Sequence, residues 1–143
     1  MTQLSTIFLL RVLAAAQLCI AGGFRVRGDL EQVYIFSRGF GYPSWLRVII
    51  GISQLASAVL LVIRPTFGVS PAVALCTFMM LSHAFRQRLP LSGILDLFVL
   101  VVVSIVGLYT NSWSGVPTSI GVGIAAYLAL SAAFPKRDAV KKT

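Results

Sequence analysis

The chain has 143 residues, of which 57% are hydrophobic and only 11% charged, with a mean hydropathy of +0.90. A soluble domain carries roughly 25% charged residues to solvate its surface, so a soluble globular protein is excluded and no room is left for a separate soluble domain. The net charge of +8 does not point to a nucleic-acid partner, because the Lys and Arg residues stand at the ends of apolar blocks, where they orient helices and meet the anionic headgroups of a lipid bilayer.

Those apolar blocks have membrane-spanning length. The expected fold is all-α: one polytopic transmembrane helix bundle over residues 1–143. The first block, residues 7–22, differs from a secretory signal because MTQLST carries no positive charge and Arg11 interrupts the apolar run. It is read as a spanning helix. Ala15, Cys19 and Gly23 form a small-residue stripe along it that would permit close helix contact.

Residues 24–42 begin the longest polar stretch, FRVRGDLEQVYIFSRGFGYPSW. Asp29 suits an N-cap, and Leu30, Val33, Tyr34 and Phe36 among charged neighbours predict a short helix in the interface plane, stopped by Gly39, Gly41 and Pro43. Tyr42 and Trp45 are expected at headgroup level. Further spans are predicted over residues 45–63, 67–85 and 91–109, with Pro71 near the first turn of the second of these, where its missing N–H costs little.

The last block, residues 118–134, is decided by charge. If it spans, Arg25, Arg27, Arg38, Arg47, Arg86, Arg88, Lys136, Arg137, Lys141 and Lys142 share one side and Arg64 stands on the other. If it does not, the two sides are nearly balanced. The positive-inside rule favours the lopsided arrangement, hence five spanning helices with a cytoplasmic C-terminus. Which cellular membrane holds them is not written in the sequence.

Ionisable groups inside spans need a partner, a route to the surface or a function. Asp96 and His83 are the candidate acid–base pair, and Gln17, Gln54 and Arg11 are candidates for binding a substrate. Measured from the basic side, His83 lies roughly 3 Å deep, Asp96 and Gln17 roughly 9 Å, Gln54 roughly 14 Å and Arg11 roughly 18 Å, a ladder through the bundle. His83 and Asp96 flank a short loop, so a contact between them is feasible. Each has a plainer reading too. Arg11 can snorkel, His83 can touch headgroups, and the glutamines can act as interhelical hydrogen-bond glue. Asp96 is hardest to dismiss, since an unpaired carboxylate in a membrane must protonate or find a cation. Cys19 and Cys76 lie inside apolar blocks and have no disulfide or metal-ligand pattern. One histidine without a Cys–His cluster gives no basis for a metal or bis-histidine haem site, and the residues specify no cofactor.

The order of features resembles the DoxX-like family of small membrane proteins over residues 8–110. RVLAAAQLCIAGGFR resembles that family's Arg-containing first helix with its small-residue exit. Gly-Tyr-Pro leading into LRVIIGISQLASAVLLVI is similar to its second helix, and AVALCTFMMLSHAFRQ to its His-containing third. The resemblance implies a four-helix DoxX-like core, with the last helix as a fifth, C-terminal addition. Where the family commonly carries Glu in the second helix, this chain has Gln54, which cannot do a carboxylate's proton work. The family is associated with membrane subunits of quinone-linked sulfur oxidoreductases, stress-related redox complexes and a receptor-assembly factor.

Two functions follow as expectations. The first is a non-catalytic membrane subunit or assembly factor. It would dock a membrane or redox partner protein, or a second copy of the chain, through small-residue faces such as Gly121, Ala125, Ala129 and Ala133. The second is an intramembrane enzyme, an isomerase, cyclase or redox-linked protein. It would act on an apolar substrate such as a quinone, isoprenoid or polyketide.

Overall fold

A computed structural model describes residues 3–87 and 90–135. Arg88, Lys136, Arg137, Lys141 and Lys142, which weigh in the charge count, lie outside the described residues. The described residues form an all-α bundle of six α-helices: α1 Gln3–Arg27, α2 Leu30–Tyr34, α3 Ser44–Ile63, α4 Pro65–Leu81, α5 Pro90–Tyr109 and α6 Gly115–Ala133. Two π-helical segments, Ile35–Phe40 and Ser82–Gln87, continue α2 and α4. Among the described residues, four helices are long and apolar enough to cross a membrane: Leu4–Arg27, Ser44–Ile63, Pro65–Gln87 and Gly115–Ala133. In α5 the apolar stretch Gly93–Tyr109 is shorter.

Helices α1, α3, α4 and α5 close a ring in which α1 packs on α3, α3 on α4, α4 on α5 and α5 on α1, while α6 lies outside against α4. Each helix turns one stripe inward. On α3 it is Leu46, Ile50, Gln54, Ser57, Ala58 and Leu61, at the three- and four-residue spacing of one helix face. The central core joins Ala14, Leu18, Leu61, Val69, Val73, Val103 and Val106. Phe8, Ile20, Ile52, Phe67, Phe98 and Leu128 point outward. That inversion is costly in water and favourable in lipid.

Glycine sets the closest approaches. A Cβ on Gly22 of α1 would lie 2.7 Å from the Gly51 carbonyl oxygen of α3, and one on Gly123 of α6 would lie 2.6 Å from that of Ala74 on α4. The α1 contact therefore runs through Gly22 and not through the expected Ala15–Cys19–Gly23 stripe. Ala15 is buried, but Cys19 is exposed and a Cβ on Gly23 would meet nothing within 4 Å. On α6 the residues Gly121, Ala125, Ala129 and Ala133 are all exposed, and packing uses Val116, Ser119 and Gly123 instead.

Three further expectations change. Helix α4 begins at Pro65, so Pro71 sits inside it and withholds a hydrogen bond from the Phe67 carbonyl. The 24–42 segment starts on the α1 helix, which runs on to Arg27 and stops at left-handed Gly28 (φ 82°). Beyond that, only α2 has an interfacial character, with Leu30 and Tyr34 exposed. The π-helical continuation drives Ile35, Phe36 and Phe40 into a second core with Tyr42, Phe78 and Met79. Tyr42 is thus buried and stacked on Phe78 (ring centroids 5.9 Å apart), whereas Trp45 stays exposed as expected.

Two arginines close helix ends across the bundle. Arg86 donates to the Phe134 carbonyl at the end of α6 (2.6 Å) and lies over the Tyr42 ring (4.6 Å). Arg11 donates through Nε to the Leu61 carbonyl (3.1 Å) and through a terminal nitrogen to that of Val62 (2.5 Å), both in the last turn of α3. Those carbonyls have no intrahelical partner, and a cation there also complements the helix dipole. Arg11 therefore stands apart from the other polar residues, engaged with backbone. Arg11→Ala should lower stability by about 1–3 kcal/mol, read as a fall in Tm in detergent. Arg11→Lys should recover part of it, and an unchanged Tm for Arg11→Ala would mean that the side chain only snorkels.

Candidate functional site

The Gly22–Gly51 crossing brings the last turn of α1 onto α3, and this buries a residue that the sequence presents as a helix-end charge. Arg25 is only 5% exposed. One of its terminal nitrogens donates to Oε1 of Gln54, and its plane lies over the Phe36 ring at 5.8 Å. Its Nε is buried with no hydrogen-bond partner. Gln54 thus faces the bundle interior and orients a cation.

Opposite Arg25, the π-helical segment after α4 carries His83. A π-helical turn re-aims side chains relative to an α-helix and is frequent at functional sites. Here His83 Nδ1 meets Gln87 Oε1 at 2.8 Å, and the edge of the ring packs against Phe40 (centroids 4.9 Å apart) from the other π-helical segment. His83 Nε2 then points at Asp96 Oδ2 of α5, 3.6 Å away. The contact that the short α4–α5 connection makes feasible is thus an approach of 3.6 Å.

With the Nδ1 proton donated to Gln87, a neutral ring turns the lone pair of Nε2 toward Asp96. A protonated carboxyl beside neutral imidazole and a carboxylate beside imidazolium differ by one proton moved between two fixed groups. That is the composition of an acid–base pair, and a separation slightly beyond hydrogen-bond length is common before a substrate is bound. Arg25 lies within electrostatic reach of Asp96, so the carboxylate form has a cation nearby.

These groups line one cleft of about 260 Å³, bounded by Gln17, Phe24, Arg25, Glu31, His83 and Asp96 among others. Asp96 keeps 20% of its side chain exposed there, and its Oδ2 has no hydrogen-bond partner. At Gln17 and Leu95 the cleft meets an apolar groove of about 220 Å³ between α1 and α5, walled by Leu10, Leu13, Phe98, Val99 and Val102. Among the described residues no group of three or more His, Cys, Asp or Glu side chains is placed to hold a metal ion.

Comparison with family models, curated proteins and solved structures gives no match.

Of the residues singled out in the sequence, His83, Asp96 and Gln17 share the cleft. Gln54 stands behind it through Arg25, and Arg11 belongs to the end of α3. Arg25 and Gln87 had escaped notice. Arg25 lies two i+4 steps from Gln17 and so on the same helix face, a spacing that was available in the sequence. Gln87 stands four residues after His83, the same i+4 spacing, so its contact too was available in the sequence.

Proposed function

We propose that this chain is a small multi-pass membrane protein with an intramembrane acid–base centre, an enzyme of the isomerase, cyclase or redox-linked kind. It acts on the polar end of a largely apolar substrate such as a quinone, isoprenoid or polyketide. The observation that carries this reading is the His83–Asp96 pair in a cleft that shares Gln17 and Leu95 with an outward-facing apolar groove. Asp96 exchanges the proton, His83 relays it, Gln87 fixes the imidazole, and Gln54 holds Arg25 beside the carboxylate.

A second reading rests on a different observation. The stripe Gly121, Ala125, Ala129 and Ala133 is exposed and unused within the chain, which suits a non-catalytic membrane subunit or assembly factor of DoxX-like type that docks a partner or another copy. Complementation separates the two. Lipid extracts from cells lacking the protein are compared after return of the wild type, Asp96→Asn or Ala129→Leu. For an enzyme, Asp96→Asn leaves a substrate accumulated and Ala129→Leu does not. The reverse pattern identifies a docking subunit.

The proposal includes five spanning helices with the C-terminus in the cytoplasm, supported by Arg25, Arg27, Arg38, Arg47 and Arg86 on one side against Arg64 on the other. Reporter fusions at Ser114 and after Pro135 should report opposite compartments. The same compartment for both would remove α6 from the spanning set.

A further inference from the structure

The cleft and the groove together describe a molecule with a small polar head and a slim apolar tail. At the head end Arg25 and Asp96 both line the cleft: Asp96 keeps 20% of its side chain exposed, while its Oδ2 is enclosed facing His83 at 3.6 Å and Arg25 Nε is enclosed without a hydrogen bond. A guanidinium and a carboxyl group lining one cleft suit a ligand whose head can both accept and donate a hydrogen bond. A hydroxyl accepts from a guanidinium and donates to a carboxylate through a single atom. Charge selects against an anionic head. Besides the one guanidinium of Arg25, the lining holds two carboxylates, Asp96 within and Glu31 exposed at the rim. With Asp96 in its carboxylate form, a phosphate or carboxylate head would meet more negative charge than positive.

At the tail end the groove is apolar and open sideways. Leu13, Leu95 and Phe98 are all largely exposed, yet they wall a concavity that extends about 10 Å along α1 from Gln17 to Leu10. Such a groove receives a chain directly from the bilayer.

We propose that the cleft binds a neutral, hydroxyl-bearing single-chain lipid, a long-chain or polyprenyl alcohol, with its hydroxyl between Arg25 and Asp96 and its tail between α1 and α5. This assignment rests on the acid–base reading of the same site. It places the oxygen of the alcohol where Asp96 can take up or return its proton.

The test uses the full chain in phosphatidylcholine nanodiscs and a diazirine-bearing hexadecanol as probe. Photolabel is expected within residues 10–17 of α1 and 95–102 of α5. Unlabelled hexadecanol should compete about tenfold better than hexadecyl phosphate or hexadecane, the ratio that one hydrogen bond to a charged group supplies. Leu13→Trp, which fills the groove from its exposed side, should cut labelling severalfold without changing the size of the purified protein. Equal competition by the phosphate ester or the alkane, or label spread evenly over the lipid-facing helices, overturns the alcohol assignment. Failure of each idea is distinguishable. Lost labelling with Asp96→Asn still failing complementation removes the alcohol and keeps the acid–base centre. Specific labelling with Asp96→Asn fully competent keeps the alcohol and removes the acid–base centre.

Discussion

Asp96→Asn should lower turnover by about 10²–10⁴ while leaving expression, purified size and Tm close to wild type. The expected loss corresponds to about 2.7–5.5 kcal/mol of barrier. The amide has the shape of the carboxyl group and can still meet His83 Nε2, so packing around α5 is preserved. What it cannot do is take up and release a proton. Among the described residues Asp96 is the carboxylate that lines the cleft from an apolar helix, α5. Asp96→Glu retains the chemistry but moves it by one methylene and should fall between the two. Full complementation by Asp96→Asn would sink the acid–base reading and leave the docking reading, for which Ala129→Leu is the damaging change.

Gly22→Leu should abolish stable assembly, whereas Gly23→Leu, one residue away, should be tolerated. At Gly22 even a single Cβ would meet the Gly51 carbonyl oxygen at 2.7 Å and Gln54 Cβ at 3.1 Å. Overpacking a well-filled contact costs about 1–3 kcal/mol where side chains can yield, and more here because the obstacle is backbone. Separating α1 from α3 would also pull Arg25 from Gln54, leaving a guanidinium and an amide buried without each other. At Gly23 an added Cβ meets nothing within 4 Å and opens into free space. The pair is read by the monodisperse fraction after detergent extraction. Equal behaviour of the two variants would contradict the Gly22–Gly51 crossing.

Hydropathy by itself determined the class of this protein, its all-α character and the approximate positions of its long helices. The reason is that every backbone hydrogen bond must be satisfied in lipid and that spanning length is set by bilayer thickness. It also exposed Asp96, His83, Gln17 and Gln54, because polar groups stand out against an apolar background. Helix ends were less legible: α1 runs on to Arg27 and α4 starts at Pro65, since charged residues and prolines that suggest a boundary are tolerated within a helix's first and last turns. What only the tertiary structure decided is which polar groups meet. Arg25 reads as an orientation charge until a glycine crossing folds it onto Gln54. Arg11 reads as a member of the polar ladder until its donors are found on the carbonyls of α3. The imidazole of His83 is aimed by a π-helical turn that leaves no mark in the residue pattern, because it depends on how the turn packs against Phe40 and not on the spacing of apolar residues. Periodicity records which face of a helix is apolar. It does not record where two helices approach most closely, and that approach is what assembled the cleft.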